Sequence, residues 1–232
     1  MKIFAISDLH LSNLVNKPMD IFGDKWKGHW DKIKLDWQEK VTEEDIVLIA
    51  GDISWAMSLK NACSDLEDID QLKGKKVIIR GNHDYWWESL SKLQALPYES
   101  ITFIQNNSIK FGDYIICGTR GWMVPENNQD QLPNDKKIFD REIIRLKLTL
   151  DSAKLMQQNN EKIIVMMHYP PFNSKFADSE FTSIINDYCV DKVVYGHLHG
   201  EKVRYQFVVD KKGIKYLLTS CDLLNNELLE ID

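Results

Sequence analysis

DIVLIAGD, residues 45–52, decides the architecture: five consecutive apolar residues end abruptly in Gly51 and Asp52. A short run that is apolar at every position has both faces covered, as in a strand of a buried parallel sheet. The same design recurs upstream in KIFAISD (2–8). Downstream it recurs in KKVIIRGNHD (75–84), EKIIVMMHY (161–169) and the shorter DKVVYGHLHG (191–200). In each, polar residues gather at the C-terminal end, the edge where open α/β sheets place their ligands.

Between these runs the period changes. Leu59, Cys63, Leu66, Ile69 and Leu72 recur at three-to-four spacing, and Gly74 follows as a stop, predicting a helix over 59–73. Further helices are predicted over 86–95, 138–157 and 179–189. Strands alternating with helices read as βαβ units. Two regions differ. Residues 100–122 hold short strands separated by Asn-Asn and Gly-Asp turns, and residues 203–221 read as a hairpin around Asp210 to Gly213. Parallel and antiparallel signatures in one chain call for an α/β fold of two mixed β-sheets packed as a sandwich and flanked by helices.

The 232 residues read as one domain. A segment at about 12–44 with Trp26, Trp30 and Trp37 interrupts the plan as a tryptophan-rich insertion, carrying a helix at about 29–40. It is too apolar for a linker and is expected to pack where the first strand ends. No apolar run approaches the roughly 18 residues of a membrane span, so no membrane insertion is expected. MKIFAISDLHL is interrupted by Asp8 and His10 and no small-residue cleavage site follows. It reads as a strand of a cytoplasmic protein rather than a signal peptide. Cys63, Cys117, Cys189 and Cys221 are widely spaced and read as free thiols, not a zinc or redox site. The net charge of −6 lowers the expectation of a long nucleic acid partner but leaves room for a small phosphorylated substrate. Nothing in the pattern requires a protein partner.

The chemistry sits at the strand ends. Asp8-x-His10 and His197-x-His199 each place two side chains on one face if the strand continues through them. Between them come Asp52, Asn82, His83 and His168, so that five of the six histidines lie at these edges. Each residue alone has an ordinary structural role as a cap or turn. Together they supply the neutral nitrogens, terminal oxygens and bridging carboxylate that two metal ions about 3.5–4 Å apart need to clamp a phosphoryl group. Nitrogen and oxygen donors favour two divalent or trivalent transition-metal ions: Mn, Fe or Zn foremost, then Co or Ni, over Ca.

The ordered blocks DLH, GD, GNHD, a lone histidine after a strand, and GHLH resemble the calcineurin-like metallophosphoesterases from Asp8 to His199. The resemblance implies a four-layer αββα fold. It implies that Asp8, His10 and His199 hold one metal and that Asn82, His168 and His197 hold the other, with Asp52 bridging. His83 would face substrate and protonate the leaving oxygen or stabilise charge. Asp84 would orient the far nitrogen of the His83 ring. The implied reaction is attack on phosphorus by a hydroxide that the metal pair activates. Gly51, Gly81 and Gly196 would allow close backbone approach. Trp55 stands where purple acid phosphatases carry a ligand tyrosine. Cyclic-nucleotide phosphodiesterases and lipid A precursor hydrolases carry a second aspartate there. The chain therefore departs from each of those branches.

Arg120, between two glycines, suits a phosphate clamp, with an ion pair to Glu126 or another acidic residue as its ordinary alternative. Trp55 and Trp122 are candidates to stack on a flat substrate group, whereas Trp86 and Trp87 read as core. His29 falls outside the set and reads as packing within the insertion. The expected activity is hydrolysis of a phosphomonoester or phosphodiester of a small substrate. A nuclease on the same centre is the alternative. A scaffold on the same fold would have lost ligands, and every one is present here.

Overall fold

The computed structural model describes residues 1–126, 132–200 and 203–232. In chain order the elements are β1 (Ile3–Ile6), α1 (His29–Lys40), β2 (Ile46–Ile49), α2 (Leu59–Asp70), β3 (Lys75–Ile79), α3 (Leu90–Gln94) and β4 (Ile101–Ile104). They continue with β5 (Ser108–Phe111), β6 (Tyr114–Thr119), α4 (Pro133–Met156), β7 (Lys162–Met167), α5 (Glu180–Asp187), β8 (Lys192–Tyr195), β9 (Val208–Lys211), β10 (Ile214–Leu218) and β11 (Leu229–Glu230).

Two mixed sheets result. The first runs β11-β1-β2-β3-β4 and is parallel except for β11. The second runs β5-β6-β7-β8-β10-β9, with a parallel centre and antiparallel edges at β5 and β9. Alternation within each apolar run explains the stacking. Ile3, Ala5, Ile46, Leu48, Val77 and Ile79 face Ile116, Ile164, Met166 and Val194 between the sheets. The intervening Phe4, Ile6, Val47, Ile49 and Ile78 face the layer holding Ile33, Trp37, Ala62, Leu66 and Ile69. Ile115, Ile163, Val165 and Val193 face Leu146, Leu150, Phe181 and Ile185. The apolar positions of β1, β2, β3, β7 and β8 are therefore covered on both faces, which is why those runs are unbroken, and the layers are αββα.

Three expectations need correction. The first strand within 100–122 is not antiparallel: β4 joins β3 in parallel, and only β5 and β6 form a hairpin. The chain crosses between sheets at Gln105–Asn107. The helix expected over 86–95 is confined to Leu90–Gln94. Trp86 and Trp87 are instead drawn into the core, and the Trp86 indole donates to Asp84 at 3.0 Å. The long helix starts at Pro133 rather than 138, because proline at a first helical position lacks only an N–H that would be orphaned anyway.

Residues 12–44 pack against the end of β1. Trp26 and Trp37 are buried, and α1 covers the first sheet. Fully buried Lys76 serves the C-terminal end of α2. Its ammonium donates to the carbonyls of Asp70 at 3.1 Å, Leu72 at 2.5 Å and Gly74 at 2.9 Å. No described helix is long and apolar enough to cross a membrane.

Candidate metal centre

The C-terminal edges of the two sheets meet at one seam. Asp8 and His10 follow β1, Asp52 follows β2, and Asn82, His83 and Asp84 follow β3. The second sheet brings His168 after β7, and His197 and His199 after β8. Hydrogen bonds tie the seam. Ser7 N donates to Thr219 O at 2.8 Å across it, and within the second sheet Gly196 N donates to His168 O at 3.1 Å. His197 N donates to both Asp8 oxygens at 3.1 and 3.0 Å.

Convergence does not come from strand alternation, as the sequence suggested. β1 ends at Ile6 and β8 at Tyr195. Beyond them Asp8, His10, Asp52 and His197 have φ of 59°, 47°, 54° and 70°. This left-handed backbone costs a residue with a Cβ about 1 kcal/mol or more and recurs at functional sites. It persists because the neighbouring chain holds it: Asp8 N donates to Gly51 O and His10 N to Asp52 O, both at 3.0 Å. Glycine is needed where two such turns touch. A Cβ on Gly81 would lie 2.1 Å from Asp52 Oδ1, and one on Gly196 would lie 2.3 Å from Ser7 Oγ.

Two donor groups form. Ligand atoms of Asp8, His10, Asp52 and His199 all lie within 4.8 Å of one another. In the second group Asn82 Oδ1 lies 2.7 Å from His168 Nε2 and 2.8 Å from His197 Nδ1, and the two nitrogens are 3.3 Å apart. Asp52 joins them. Its Oδ1 accepts from His83 N at 2.8 Å. Its Oδ2 lies 3.8 Å from His10 Nε2 and 3.4 Å from His168 Nε2.

The donor chemistry fits cations. Both His10 ring nitrogens and Asp52 Oδ2 are buried with no hydrogen-bond partner among the described residues, a state that costs free energy unless something else binds them. His168 faces the Ala50 carbonyl through Nδ1 at 3.0 Å, which leaves Nε2 for the cluster. Burial alone would push this imidazole down. The Asp52 carboxylate reverses that and lifts it to about 9. Burial holds His10 and His197 at about 3, so both present lone pairs at neutral pH. Burial opposes the Asp52 charge as well, but His168 and His10 keep its carboxyl well below the ordinary range. The centre thus concentrates lone pairs around an ionised carboxylate and favours positive charge.

Other expected residues fall around it. The His83 ring is half-buried, 4.5 Å from Trp55 and 5.7 Å from His10, and its Nδ1 has no partner. Asp84 does not orient it. The Asp84 carboxylate accepts from the backbone of Asp52 at 2.9 Å, Ile53 at 2.9 Å, Ser54 at 3.2 Å and Gly81 at 2.7 Å, in addition to Trp86. It shapes the two turns that carry Asp52 and Asn82. Trp55 stacks on His10 at 4.8 Å. Arg120 lies 3.7 Å from buried Glu142, an acidic partner of the kind its ordinary alternative expected, and its guanidinium sits 4.8 Å over Trp122. Glu126 instead accepts from Ser174. His29 holds the loop before His10, with its Nε2 2.8 Å from Leu9 O.

Sequence reading missed Asp222. It is buried, and its Oδ2 accepts from Gly200 N at 2.9 Å, which anchors the turn just after His199. No spacing rule points to it, because it lies beyond the last block and acts on backbone.

A family model described as calcineurin-like phosphoesterase matches residues 1–201. An uncharacterized protein of Methanocaldococcus jannaschii is 30% identical over 125 residues, covering 50% of this chain and 68% of that one. The phosphopantetheinyl hydrolase of Mycobacterium tuberculosis superposes with a TM-score of 0.61 at 12% identity, covering 99% of this chain and 95% of that chain. The TT1561 protein of Thermus thermophilus does so with a TM-score of 0.60 at 12% identity, covering 99% and 97%. These two structures share the fold.

Proposed function

The chain belongs to the calcineurin-like phosphoesterase family, and from that premise we propose that it hydrolyses a phosphomonoester or phosphodiester of a small substrate at the seam centre. The observation that carries this is the position of Asp52 Oδ2 between His10 Nε2 and His168 Nε2, one from each donor group. Asp8, His10 and His199 would hold one ion, Asn82, His168 and His197 the other, and Asp52 both. Mn, Fe or Zn suits these donors best, with Co or Ni next. Two such ions, when bound, supply Lewis-acid stabilisation of a phosphoryl group and lower the pKa of water.

The chain's own groups set the rest. His83 has an unpartnered Nδ1 beside the donor cluster. Burial holds its ring below the ordinary imidazole value, so at neutral pH it serves as an N–H donor to developing charge more than as a proton source. Trp55 fixes His10 by stacking, and Asp84 fixes the Asp52 and Asn82 turns. Arg120 is assigned to the substrate side through Trp122, whose ring it covers. A long nucleic acid is disfavoured by the net charge of −6.

The test is reconstitution with each of the five metals, followed by assay on 4-nitrophenyl phosphate and bis-(4-nitrophenyl) phosphate. Turnover is expected on at least one ester, and Asp52→Asn should lower it roughly a hundredfold or more. Inactivity with every metal on both esters, or full activity in Asp52→Asn, contradicts the assignment.

A further inference from the structure

A cleft of about 420 Å³ opens against the ring of His197. Its lining is mainly apolar, and much of it is aromatic: Trp122, Tyr169, Phe172 and Phe176, with Leu198 from the metal-binding loop itself. The rings form two groups along the cleft. Tyr169 lies 4.1 Å from His197 and 5.1 Å from Trp122. Phe172 lies 5.5 Å from Phe176, whose face is covered by the Arg204 guanidinium at 5.7 Å. The Trp122 indole N–H is buried and has no partner among the described residues. Glu126 and Asp135 also line the opening, an arrangement unsuited to a polyanionic strand.

We infer that this cleft receives the flat, apolar organic group of the phosphate ester, so that the substrate is an aryl-like or heteroaromatic phosphate ester rather than a sugar phosphate or a nucleic acid strand. This rests on the phosphoesterase reading. The volume falls in the range of small-molecule pockets, and the few polar groups among many apolar ones are what such pockets use to orient a ligand. Aromatic walls gain by offset or edge contact with a ring. Continuity with His197 means that an ester whose phosphate sits at the metal centre has this cleft beside it.

Non-hydrolysable phosphonates test binding without depending on leaving-group chemistry. The Mn-loaded protein is titrated calorimetrically with methylphosphonate and with 2-naphthylmethylphosphonate. The naphthyl compound is expected to bind about tenfold tighter or better, given the apolar area it buries. In Trp122→Ala and in Val124→Asp, where Val124 also lines the cleft, both melting cooperatively, that preference should shrink to about threefold or less. Equal affinities in the wild-type protein, or a preference that survives both substitutions, overturn the assignment. If methylphosphonate binds as tightly as the naphthyl compound while esters are still turned over, only the cleft assignment falls. If neither phosphonate binds and no ester is hydrolysed, the phosphoesterase reading fails and carries the cleft with it.

Discussion

Asp52 and Asp84 are both fully buried carboxylates beside histidines, and their hydrogen-bond partners give them different work. Asp52 leaves Oδ2 unpartnered at the centre, whereas Asp84 has both oxygens occupied by N–H donors from two turns. Burial, and then the Asp52 charge, push the Asp84 carboxyl up to about 6. The five donors, with no acceptor among them, keep it ionised at neutral pH. GNHD displays Asp84 but not its role, because most of its partners lie about thirty residues earlier. The seven side chains that meet at the seam were legible because each lies at the end of an apolar run. Asp222 was not, since it acts on Gly200 N rather than on a recognisable ligand. Groups that orient metal ligands typically change metal affinity by about ten- to a hundredfold when removed. Asp222→Ala is therefore expected to weaken one of two Mn sites by at least about tenfold, and Asp222→Asn, which keeps an acceptor oxygen for Gly200 N, to retain most of the affinity. Calorimetric Mn titration reads both sites. Two unaltered sites in Asp222→Ala would remove Asp222 from the centre.

The elements show where pattern reading stops. The turn joining α4 to β7 is held by Glu161, whose Oε2 accepts from Gln158 N at 3.1 Å and Asn159 N at 2.7 Å. Its Oε1 accepts from Lys110 of β5 at 2.5 Å. The Lys110 bond and then the Asn159 amide hold the Glu161 carboxyl at about 2, below its ordinary 4.5. The sign follows from linkage: the folded state binds the proton more weakly than the unfolded chain. The stabilisation is therefore complete above about pH 4.5 and is lost as the pH falls toward about 2. Urea unfolding of wild type and Glu161→Gln should differ most above pH 4.5 and converge toward pH 2. A difference that stays constant across that range would show that the charge is not the cause. The turn was invisible in the sequence, where Glu161 reads as the polar start of a strand. The same limit applies to α3 and β4. The segment 86–95 reads as a helix, but the Asp84 turn captures the Trp86 indole. The Asn106–Asn107 pair looks like a hairpin turn, yet it carries the chain from one sheet to the other. In both places long-range structure overrides local preference.

At the scale of the molecule, the two sheets are joined by an apolar interior and, at one edge, by the donor groups. Each group draws on both sheets. Asp8, His10 and Asp52 of the first are completed by His199 of the second, and His168 and His197 of the second by Asn82 of the first. This division was legible only as a list of strand ends. Which ends meet depends on the packing of two sheets, and that is not a local property. It has an energetic consequence. Cations bound there would tie the sheets together and would bind the folded chain far better than the unfolded one. One ion at about a hundred times its Kd stabilises by about 2.7 kcal/mol. A chain of this size gains about 2–4 °C per kcal/mol, so Tm should rise roughly 5–10 °C per ion. Scanning fluorimetry with Mn and then with excess EDTA measures the difference. In Asp52→Asn the rise should fall well below the wild-type value, because the shared oxygen has lost its charge. A Tm indifferent to Mn and EDTA in the wild-type protein would mean that the seam holds no ion tightly, and the lone pairs gathered around Asp52 would then need another explanation.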